Sequence, residues 1–554
     1  MWRGTPGVKM CVVLAAMGCL ALGGLSGCKR RLASDFKAGA RAKEFTVVLA
    51  SDPETFDPSK MSGAPEGRVA MNIFEGLLMP GPTTEGLDDA SKLVVPGVAE
   101  RYEVSADGKT YTFHLRADAK WSDGKALTAE DFVWSWKRVL TPGFPADYAS
   151  MFWVIKNAKP YNKGKLKDWS QVGIKASPDG RTLTVELEQP TPFFPELVAF
   201  YSFFPVPRHV VEKHGDQWTR PEHIVTNGPY HMIEYKPQQH VTLELGPHYW
   251  DKKSVSIGHV KMLIIADQNA VVNAYKTGVL HWSGAGLPVA QITNLLTHPD
   301  YNREPMLGTY FFRVNVTKPP MNDPRVRQAL NLAVDRTTLV EQTMNALYKE
   351  AHTFVPELAG YKAKASVKYD IKRAKQLLAE AGYPNGKGFP AVELLYNTSE
   401  NHKLIAEAVQ DMWKRGLNID VKLVNKEWKT YLQDVDTMSY QVARAGWIGD
   451  YNDPMTFLDM FLGDNGNNDT GWDDPKYNAM IAAATSEADA KKRMALLADA
   501  EAYLLTQGPI IPIYFYTNNM LIAHRIKGFE AHNRDIHLFK YMSLPEGDPY
   551  KKAQ

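Results

Sequence analysis

The sequence predicts a mixed α/β protein, because short stretches with strand periodicity alternate with helices whose ends are well marked. At 554 residues the chain is too long for one ordinary domain, and about two to four are expected. Hydrophobic residues make up 44% and charged residues 23% of the chain, which is typical of a globular protein. We find no internal repeat and no low-complexity run.

Four stretches alternate apolar and polar residues with the period of two that indicates a half-buried strand. They are TYTFHL at 110–115, TLTVELE at 182–188, VTLEL at 241–245 and IDVKLV at 419–424. In the first of them, Tyr111, Phe113 and Leu115 share one face. These stretches are the predicted strands.

Three helices have recognisable ends. In LTAEDFVWSWKRVL, Thr128 suits the N-cap and Asp131 stands at the capping-box position. In NDPRVRQALNLAVD, Asp323 precedes Pro324, which is favoured at the first helical position. A third segment, DIKRAKQLLAEAGYPNG, is rich in Ala and Leu and is expected to end at Gly382.

The first residues have the form of an export signal. Arg3 and Lys9 precede the apolar run CVVLAAMGCLALGGL, which is too short for a stable membrane span, and LSGC follows. The pattern resembles a bacterial lipoprotein signal, in which residues 1–27 are removed and Cys28 is lipidated. Residues 28–44 would then form a polar tether. A plain secretory signal cleaved nearby is the alternative.

Cysteine usage and charge agree with a lipid anchor. Cleavage before Cys28 removes Cys11 and Cys19, so the single remaining thiol would be consumed by the lipid, which excludes disulfides and thiol-based metal sites. The formal net charge of +2 falls to about zero when the signal is lost. A neutral protein lacks the basic surface needed to bind nucleic acid or lipid headgroups, so acyl chains must provide the membrane contact.

Motifs of enzymes and metal sites are missing from the sequence. It contains no H-E-x-x-H, no phosphate-binding P-loop, no G-x-S-x-G and no dinucleotide fingerprint, and its 15 histidines are dispersed. DNGNNDTGWDDP at 464–475 is not an EF-hand, since Asp469 and Pro475 occupy positions six and twelve. We therefore predict no enzyme activity, no cofactor and no metal site.

The stretch RAGWIGDYNDP, from Arg444 to Pro454, combines opposite charges with glycines and an aromatic wall. Gly446 and Gly449 would let the backbone approach another backbone or a ligand. Trp447 offers a flat surface beside Asp450. The residues alone leave two interpretations open: a solvent-facing loop with a capping Asp, or a ligand site with an acidic and a basic pole.

Several long segments resemble a known family in order and in sequence. They include FDPSKMSGAPEGRVAMNIFEGLL, AKWSDGKALTAEDFVWSWKRVL, IVTNGPYHM, LLYNTSENHKLIAEAV, NKEWKTYL and VARAGWIGDYNDPMTFL. Over nearly its whole mature length the chain resembles the peptide/nickel-binding family, the solute-binding lipoproteins of bacterial ABC importers. The resemblance is to the oligopeptide branch of that family rather than to its nickel or dipeptide branches.

The resemblance implies a two-lobed periplasmic-binding-protein fold with an extra third domain, in which the ligand lies between lobes that close about a hinge. Domain I would be discontinuous, with residues 45–74, 208–306 and 518–545. Domain II, the extra domain, would be 75–207, and domain III, the second ligand-binding lobe, would be 307–517.

The resemblance also implies the roles of site residues. A peptide offers an ammonium, a carboxylate and an extended backbone, and a desolvated ammonium needs a fixed counter-charge. The family assigns the peptide N-terminus to Asp450 and its C-terminus to Arg444 and His402, which lies where a strand gives way to a helix. Backbone and pocket positions match Ser62, Gly63, Ala64, Tyr148, Trp428, Gly446, Trp447 and Ile448. For the three aromatic residues, ordinary core packing is the alternative.

This chain departs from the family at positions that bear on ligand choice. A family disulfide links the positions of Gly308 and Ile448, and neither is cysteine here. Two family cations are replaced by Val435 and Met344, and a family acid is replaced by Arg313. The preferred peptide length and charge therefore cannot be carried over from the family.

The function implied is that of an exported receptor, lipid-anchored to a bacterial membrane at the periplasmic or outer surface. Its expected partners are short oligopeptides and the permease subunits of an ABC transporter, and it is expected to act as a monomer. Binding of murein peptides for recycling or signalling is the alternative. Metal or haem binding and a secreted hydrolase are the other classes considered, and the scattered histidines and missing motifs disfavour both.

Overall fold

The computed structural model describes residues 44–83, 93–284 and 286–545 of the chain. The expected signal peptide, Cys28 and the tether up to residue 43 lie outside these ranges. Within them, no helix is both long enough and apolar enough to cross a membrane. The described residues combine helices and strands throughout, as the periodicities predict.

The strands lie mostly in short alternating stretches, with two long exceptions. They are β1 (Glu44–Leu49), β2 (Leu78–Pro80), β3 (Val94–Pro96), β4 (Ala99–Val104), β5 (Thr110–Leu115), β6 (Ile174–Ala176), β7 (Thr182–Glu186), β8 (Tyr230–Lys236), β9 (His240–Leu245), β10 (His259–Ile264), β11 (Tyr301–Val314), β12 (Lys349–Glu350), β13 (Val392–Asn397), β14 (Val421–Lys426), β15 (Val442–Ile448) and β16 (Ile510–Leu521). The long ones are β11 and β16.

The helices range from one turn to five. They are α1 (Ala64–Ile73), α2 (Ala129–Leu140), α3 (Ala158–Asn162), α4 (Phe194–Leu197), α5 (Arg208–His214), α6 (Gln268–Lys276), α7 (Ile292–Leu295), α8 (Pro324–Leu332), α9 (Arg336–Thr338), α10 (Ile371–Glu380), α11 (Glu400–Leu417), α12 (Trp428–Asp436), α13 (Met455–Leu458), α14 (Pro475–Ser486) and α15 (Ala490–Gln507). Several short 3₁₀ helices connect them, including Asp147–Val154.

Three of the predicted strands are confirmed and one is displaced. β5, β7 and β9 occupy the expected stretches, although β7 ends at Glu186. The fourth begins at Val421 rather than at Ile419. Asn418 ends α11 in the left-handed conformation with φ 56°, and the N–H of Ile419 bonds back to the carbonyl of Trp413, so both residues still belong to the helix end.

The predicted helix ends are also confirmed. The N–H of Thr128 donates to Asp131 Oδ2 at 2.8 Å, which is one half of the capping box that begins α2. Asp323 Oδ1 accepts from the N–H of Arg325 at 2.8 Å, with Pro324 as the first helical residue of α8. α10 ends at Glu380, and Gly382 follows with φ +97°.

Three larger sheets and one ribbon organise the chain. One sheet has the order β1-β10-β9-β8, a second has β4-β5-β7-β6, and the ribbon pairs β2 with β3. The largest sheet has six strands in the order β12-β16-β11-β15-β13-β14. It is mixed, since β15 pairs antiparallel with β11 and parallel with β13.

The sheets follow the expected division of the chain, which stays a prediction. The first sheet draws its strands from the stretches expected for domain I, the second from domain II and the third mainly from domain III. Only β11 and β16 run across expected boundaries, at 306/307 and 517/518. Their antiparallel register shifts between Pro305 and Thr309, beside both boundaries.

Candidate functional site

A cavity of about 460 Å³ lies where these parts of the chain meet. Its wall is formed by the start of α1, by α12, by β15 and the loop after it, and by the C-terminal segment. All eleven residues assigned to a ligand by sequence lie in its wall: Ser62, Gly63, Ala64, Tyr148, His402, Trp428, Arg444, Gly446, Trp447, Ile448 and Asp450. Residues almost 400 positions apart therefore form one site of the size that small ligands occupy.

Asp450 lies at the acidic pole, in the loop between β15 and α13, and is 8% exposed. Its N–H donates to Thr456 Oγ1 at 3.0 Å, which fixes the loop. The carboxylate itself receives only two long hydrogen bonds, from Tyr148 Oη and from Thr456 Oγ1, each at 3.4 Å. Within the described ranges the carboxylate of Asp450 takes part in no ion pair, so it is a buried acid without a counter-charge of its own.

The electrostatics of Asp450 reflect this burial. Burial, and next the charge of Asp459, raise the pKa of Asp450 well above its usual value, while Arg534, Thr456 and Tyr148 lower it. Burial likewise raises the pKa of Asp459 to about 7. An ammonium placed beside Asp450 would stabilise the charged carboxylate and reverse this shift.

Arg444 lies at the opposite pole, in the middle of β15. Its Nη1 donates to Asn397 Oδ1 at 3.3 Å and its Nη2 donates to Tyr516 Oη at 3.1 Å, while Nε is buried without a partner. The guanidinium lies 5.2 Å from the ring centre of Tyr310. No carboxylate pairs with Arg444 in the part of the chain that the structure describes. A guanidinium held by neutral groups is suited to an anionic ligand.

His402 lies in the first turn of α11, directly after β13, as the sequence predicts. Its ring is 5.5 Å from that of Tyr310, and its Nδ1 is buried without a partner. Burial and the neighbouring charge of Arg444 lower the pKa of His402 well below its usual value. The imidazole is therefore neutral at ordinary pH and can donate through one ring nitrogen only.

Between the two poles, one edge of β15 is open. β15 pairs with β11 along its whole length, from Val442 to Ile448. On the other side, β13 pairs only with Val442 and Ala443. Residues 444–448 have no second strand neighbour among the described residues, so this edge can accept an added strand.

Another part of the cavity wall comes from the start of α1. Gly63 is the N-cap residue and has extended dihedrals, with φ −91° and ψ 154°. Ser62 and Ala64 flank it in the cavity wall. An extended backbone segment in the wall of the same cavity could pair with a ligand strand on its second side.

Each of the three aromatic residues both packs against the protein and lines the cavity. Tyr148 packs edge-on against Phe200 at 5.0 Å and also lines the cavity. Trp447 is fixed by a hydrogen bond from its Nε1 to the carbonyl of Thr456 at 2.7 Å. Trp428 stacks on Tyr431 at 5.5 Å. Each ring is held by the protein and presents a surface to the cavity.

Gly446 serves a contact within the protein. A Cβ atom at this position would lie 2.4 Å from Tyr516 Oη and 3.2 Å from Arg444 Nη2. The missing side chain thus makes room for the hydrogen bond between Tyr516 and Arg444. The sequence alone predicts only the approach of another backbone or a ligand at Gly446.

The positions that depart from the family have different surroundings. Val435 lines the cavity, and Asp436 beside it faces Asp147, whose pKa is raised to about 6 by burial and next by Asp436. Arg313 also lines the cavity and forms an ion pair with Asp469. Met344, by contrast, is fully buried in the core and is not in the cavity wall, so its lack of charge does not affect a ligand there.

The position of the missing disulfide is filled by strand pairing. Gly308 and Ile448 are directly opposed in the antiparallel ladder of β11 and β15. The ladder therefore joins the two positions without a covalent link.

Sequence reasoning missed several residues of the cavity wall. Arg534 and Asp535 lie in the C-terminal segment, and Arg68 lies in α1, where its Nη2 contacts Asp535 Oδ2 at 2.5 Å. Asp147 and Tyr516 also line the cavity. None has a local motif, because each reaches the cavity only through tertiary folding. Across the described ranges, no group of three or more His, Cys, Asp or Glu residues is arranged to hold a metal ion.

Comparisons with known proteins agree with the geometry. The family of bacterial extracellular solute-binding proteins, family 5, matches residues 94–469. The periplasmic oligopeptide-binding protein OppA of Salmonella typhimurium is 38% identical over 90% of this chain and 92% of its own length. The periplasmic murein peptide-binding protein MppA of Escherichia coli is 36% identical over 89% of this chain and 91% of its own length.

Solved structures share the fold. Haemophilus influenzae OppA in complex with RPPGFSPFR has a TM-score of 0.85 at 33% identity, covering 91% of this chain and 99% of the other. The murein tripeptide-binding protein MppA of Escherichia coli also has a TM-score of 0.85 at 35% identity, over 91% and 99%. The unliganded open form of MppA has a TM-score of only 0.60 at 35% identity, over 91% and 98%. At equal identity, this chain therefore superposes less well on the open form.

Proposed function

Because the chain belongs to family 5 of the bacterial extracellular solute-binding proteins, we propose that it captures short oligopeptides in extended form and delivers them to an ABC-type permease. The family is one of solute-binding receptors. We assign this member no catalytic residue and no cofactor.

One observation carries the proposal: the cavity holds an acid without a counter-charge at one end, a guanidinium without a carboxylate at the other, and a free strand edge between them. Asp450 would take the peptide ammonium, and Arg444 with His402 would take its carboxylate. The peptide would add to residues 446–448 as a strand, with residues 62–64 on its other side. Main-chain hydrogen bonds give affinity without reading side chains, which suits a receptor for varied peptides.

The arrangement of domains supports capture by closure. The chain superposes better on one MppA structure than on the unliganded open form of that protein, which supports a closed arrangement. β11 and β16 are the long strands that cross the expected boundaries, and their register shift lies beside them. We propose that these strands form the hinge.

Murein peptides are the second candidate ligand. MppA is 36% identical over 89% of this chain, and a murein peptide also presents an amine and carboxylates to the two poles. Native mass spectrometry of the purified protein, with identification of the bound molecules, would separate the candidates. We expect short peptides of mixed sequence. Only murein fragments would favour the second candidate, and a bound metal or haem would contradict both.

Binding should need a free peptide amine. Asp450→Ala should weaken the binding of a tripeptide by about 2–5 kcal/mol, which is about 30-fold or more, because it breaks a buried charge pair. Asp450→Asn, which keeps the shape, should lose nearly as much. N-acetylation of the tripeptide should weaken its binding to the unaltered protein. Isothermal titration calorimetry measures all three, and equal affinities for free and acetylated peptide would remove Asp450 from this role.

Peptide length should be restricted by Val435. An extended peptide advances about 3.3 Å per residue, so each added residue moves its carboxylate away from the amine pole. A carboxylate near Val435 would face Asp436, and the nearby Arg313 is already paired with Asp469, so the carboxylate would forfeit about 1.5–3 kcal/mol of charge-assisted bonding. We expect an affinity optimum set by the reach of Arg444 and His402.

The length prediction is tested by titrating Ala-rich peptides of about two to six residues into three proteins: the unaltered one, Val435→Arg and the uncharged control Val435→Met. Val435→Arg should strengthen binding at a length that the unaltered protein disfavours, and Val435→Met should not. A flat profile in the unaltered protein, or no gain at any length in Val435→Arg, would refute the argument.

We also propose that the protein is exported, anchored by a lipid on Cys28, and monomeric. Cys28→Ser should move it from the membrane to the soluble fraction without changing peptide affinity, because membrane contact comes from acyl chains alone. Cys19→Ser, within the segment expected to be removed, is the matched control. Fractionation and intact mass give the result; an unaltered protein that is soluble and carries no acyl mass would contradict the anchor.

A further inference from the structure

Arg534 is a buried arginine in the wall of the cavity. The proposed function described above gives this residue no role. It lies in the C-terminal segment after β16, and its side chain is 3% exposed. Its Nη1 donates to the main-chain oxygen of Asp450 at 2.5 Å. Its Nε and Nη2 are buried and have no hydrogen-bond partner among the described residues. Burying a guanidinium with unpaired N–H groups costs free energy, so the contacts that this side chain does make need an explanation.

The charged partner of Arg534 comes from a third part of the chain. Glu196 in α4 has its Oε2 at 3.4 Å from Arg534 Nη1. The same oxygen accepts from the N–H of Asn452 at 3.2 Å and from its Nδ2 at 2.8 Å. Arg534 and Glu196 therefore hold the loop at Asp450 and again at Asn452, two residues apart.

The charges around Asp450 show what Arg534 adds. The acid whose charge acts on Asp450 is Asp459. Asp453, in the same loop, is paired with Arg493 at 2.6 Å. Tyr148, Tyr201 and Tyr451 surround Asp450 as neutral groups. Arg534 is the cation that lowers the pKa of Asp450. His532 and His537 beside Arg534 stay neutral, because burial lowers the pKa of each.

We propose that Arg534 is a positioning residue for the amine anchor: it fixes the loop that carries Asp450 and supplies a positive charge that favours the ionised form of this carboxylate. In this role Arg534 contacts Asp450, which would bind the ligand, and does not bind the ligand itself. The inference rests on the proposed function, since it assumes that Asp450 receives an ammonium.

The pH dependence of binding follows from this role. A protonated Asp450 cannot pair with an ammonium, so affinity falls as the pH drops through the pKa of Asp450. Without Arg534 this pKa rises further, so the fall begins at a higher pH. Above that range both proteins carry the ionised carboxylate and should bind alike, apart from any loss caused by a displaced loop.

The test measures tripeptide affinity by calorimetry between about pH 5 and pH 9 for the full chain and for Arg534→Gln, Arg534→Lys and Arg327→Met. Arg327 is a matched control, because it is a buried arginine that bonds to the carbonyls of Gln507 and Met321 outside the cavity. Arg534→Gln should lose up to about tenfold in affinity at the acidic end for each unit by which the pKa rises. Arg534→Lys should restore most of the loss, and Arg327→Met should keep the unaltered profile.

Other outcomes separate this inference from the proposed function. If the unaltered protein binds no peptide, the proposed function fails. If it binds peptide but Arg534→Gln has the same pH profile, or loses affinity equally at every pH and equally for an N-acetylated peptide, Arg534 is merely structural and the inference is wrong. Should Arg534→Gln not fold, Arg534→Lys decides alone, since a retained charge predicts a profile close to that of the unaltered protein, and a large upward shift of the acidic limb would overturn the role.

Discussion

A carboxylate buried without a counter-charge is the constraint on which the site depends. Asp450 is 8% exposed and receives two hydrogen bonds of 3.4 Å, which do not replace the water it has lost. Burial and Asp459 both raise its pKa. A buried Asp450 carboxylate without a cation beside it is therefore unfavourable, and an ammonium placed there would remove the penalty. Under the proposed function, this charge would link closure of the lobes to binding of a ligand.

The rest of the cavity determines the direction in which a ligand can lie when its ammonium binds this charge. Arg444 lies in β15, six residues before Asp450, so a ligand that uses both poles must run along the free edge of that strand. The neutral imidazole of His402 adds a donor without adding a second charge. A peptide satisfies all three features at once, because its two ends carry opposite charges and its backbone supplies strand hydrogen bonds.

Local sequence signals predicted the local structure well. The capping box at Thr128 and Asp131, the Pro324 start of α8 and the alternation in β5 all act within a few residues, so the sequence displays them. The error at Ile419 arose where a helix end and a strand start compete for the same residue. The eleven assigned site residues were found through family resemblance, and the structure brings them to one cavity.

What the sequence could not show depends on tertiary contacts. Arg534 reaches Asp450 across 84 positions of sequence, and no periodicity marks it. The open edge of β15 exists because β13 stops pairing after Ala443, which is a property of the sheet. Met344 stands where the family has a cation, yet it packs into the core. The space beside Gly446 is likewise taken by Tyr516, a contact that composition does not reveal.

A crystal structure of the protein with a bound tripeptide tests the central claim most directly. The account predicts the peptide ammonium within hydrogen-bond distance of the Asp450 carboxylate, about 2.7–2.9 Å. The peptide backbone should pair with residues 446–448, and its carboxylate should lie at Arg444. A peptide bound in the reverse direction, or one whose amine is held by other groups while Asp450 keeps its present contacts, would contradict the account.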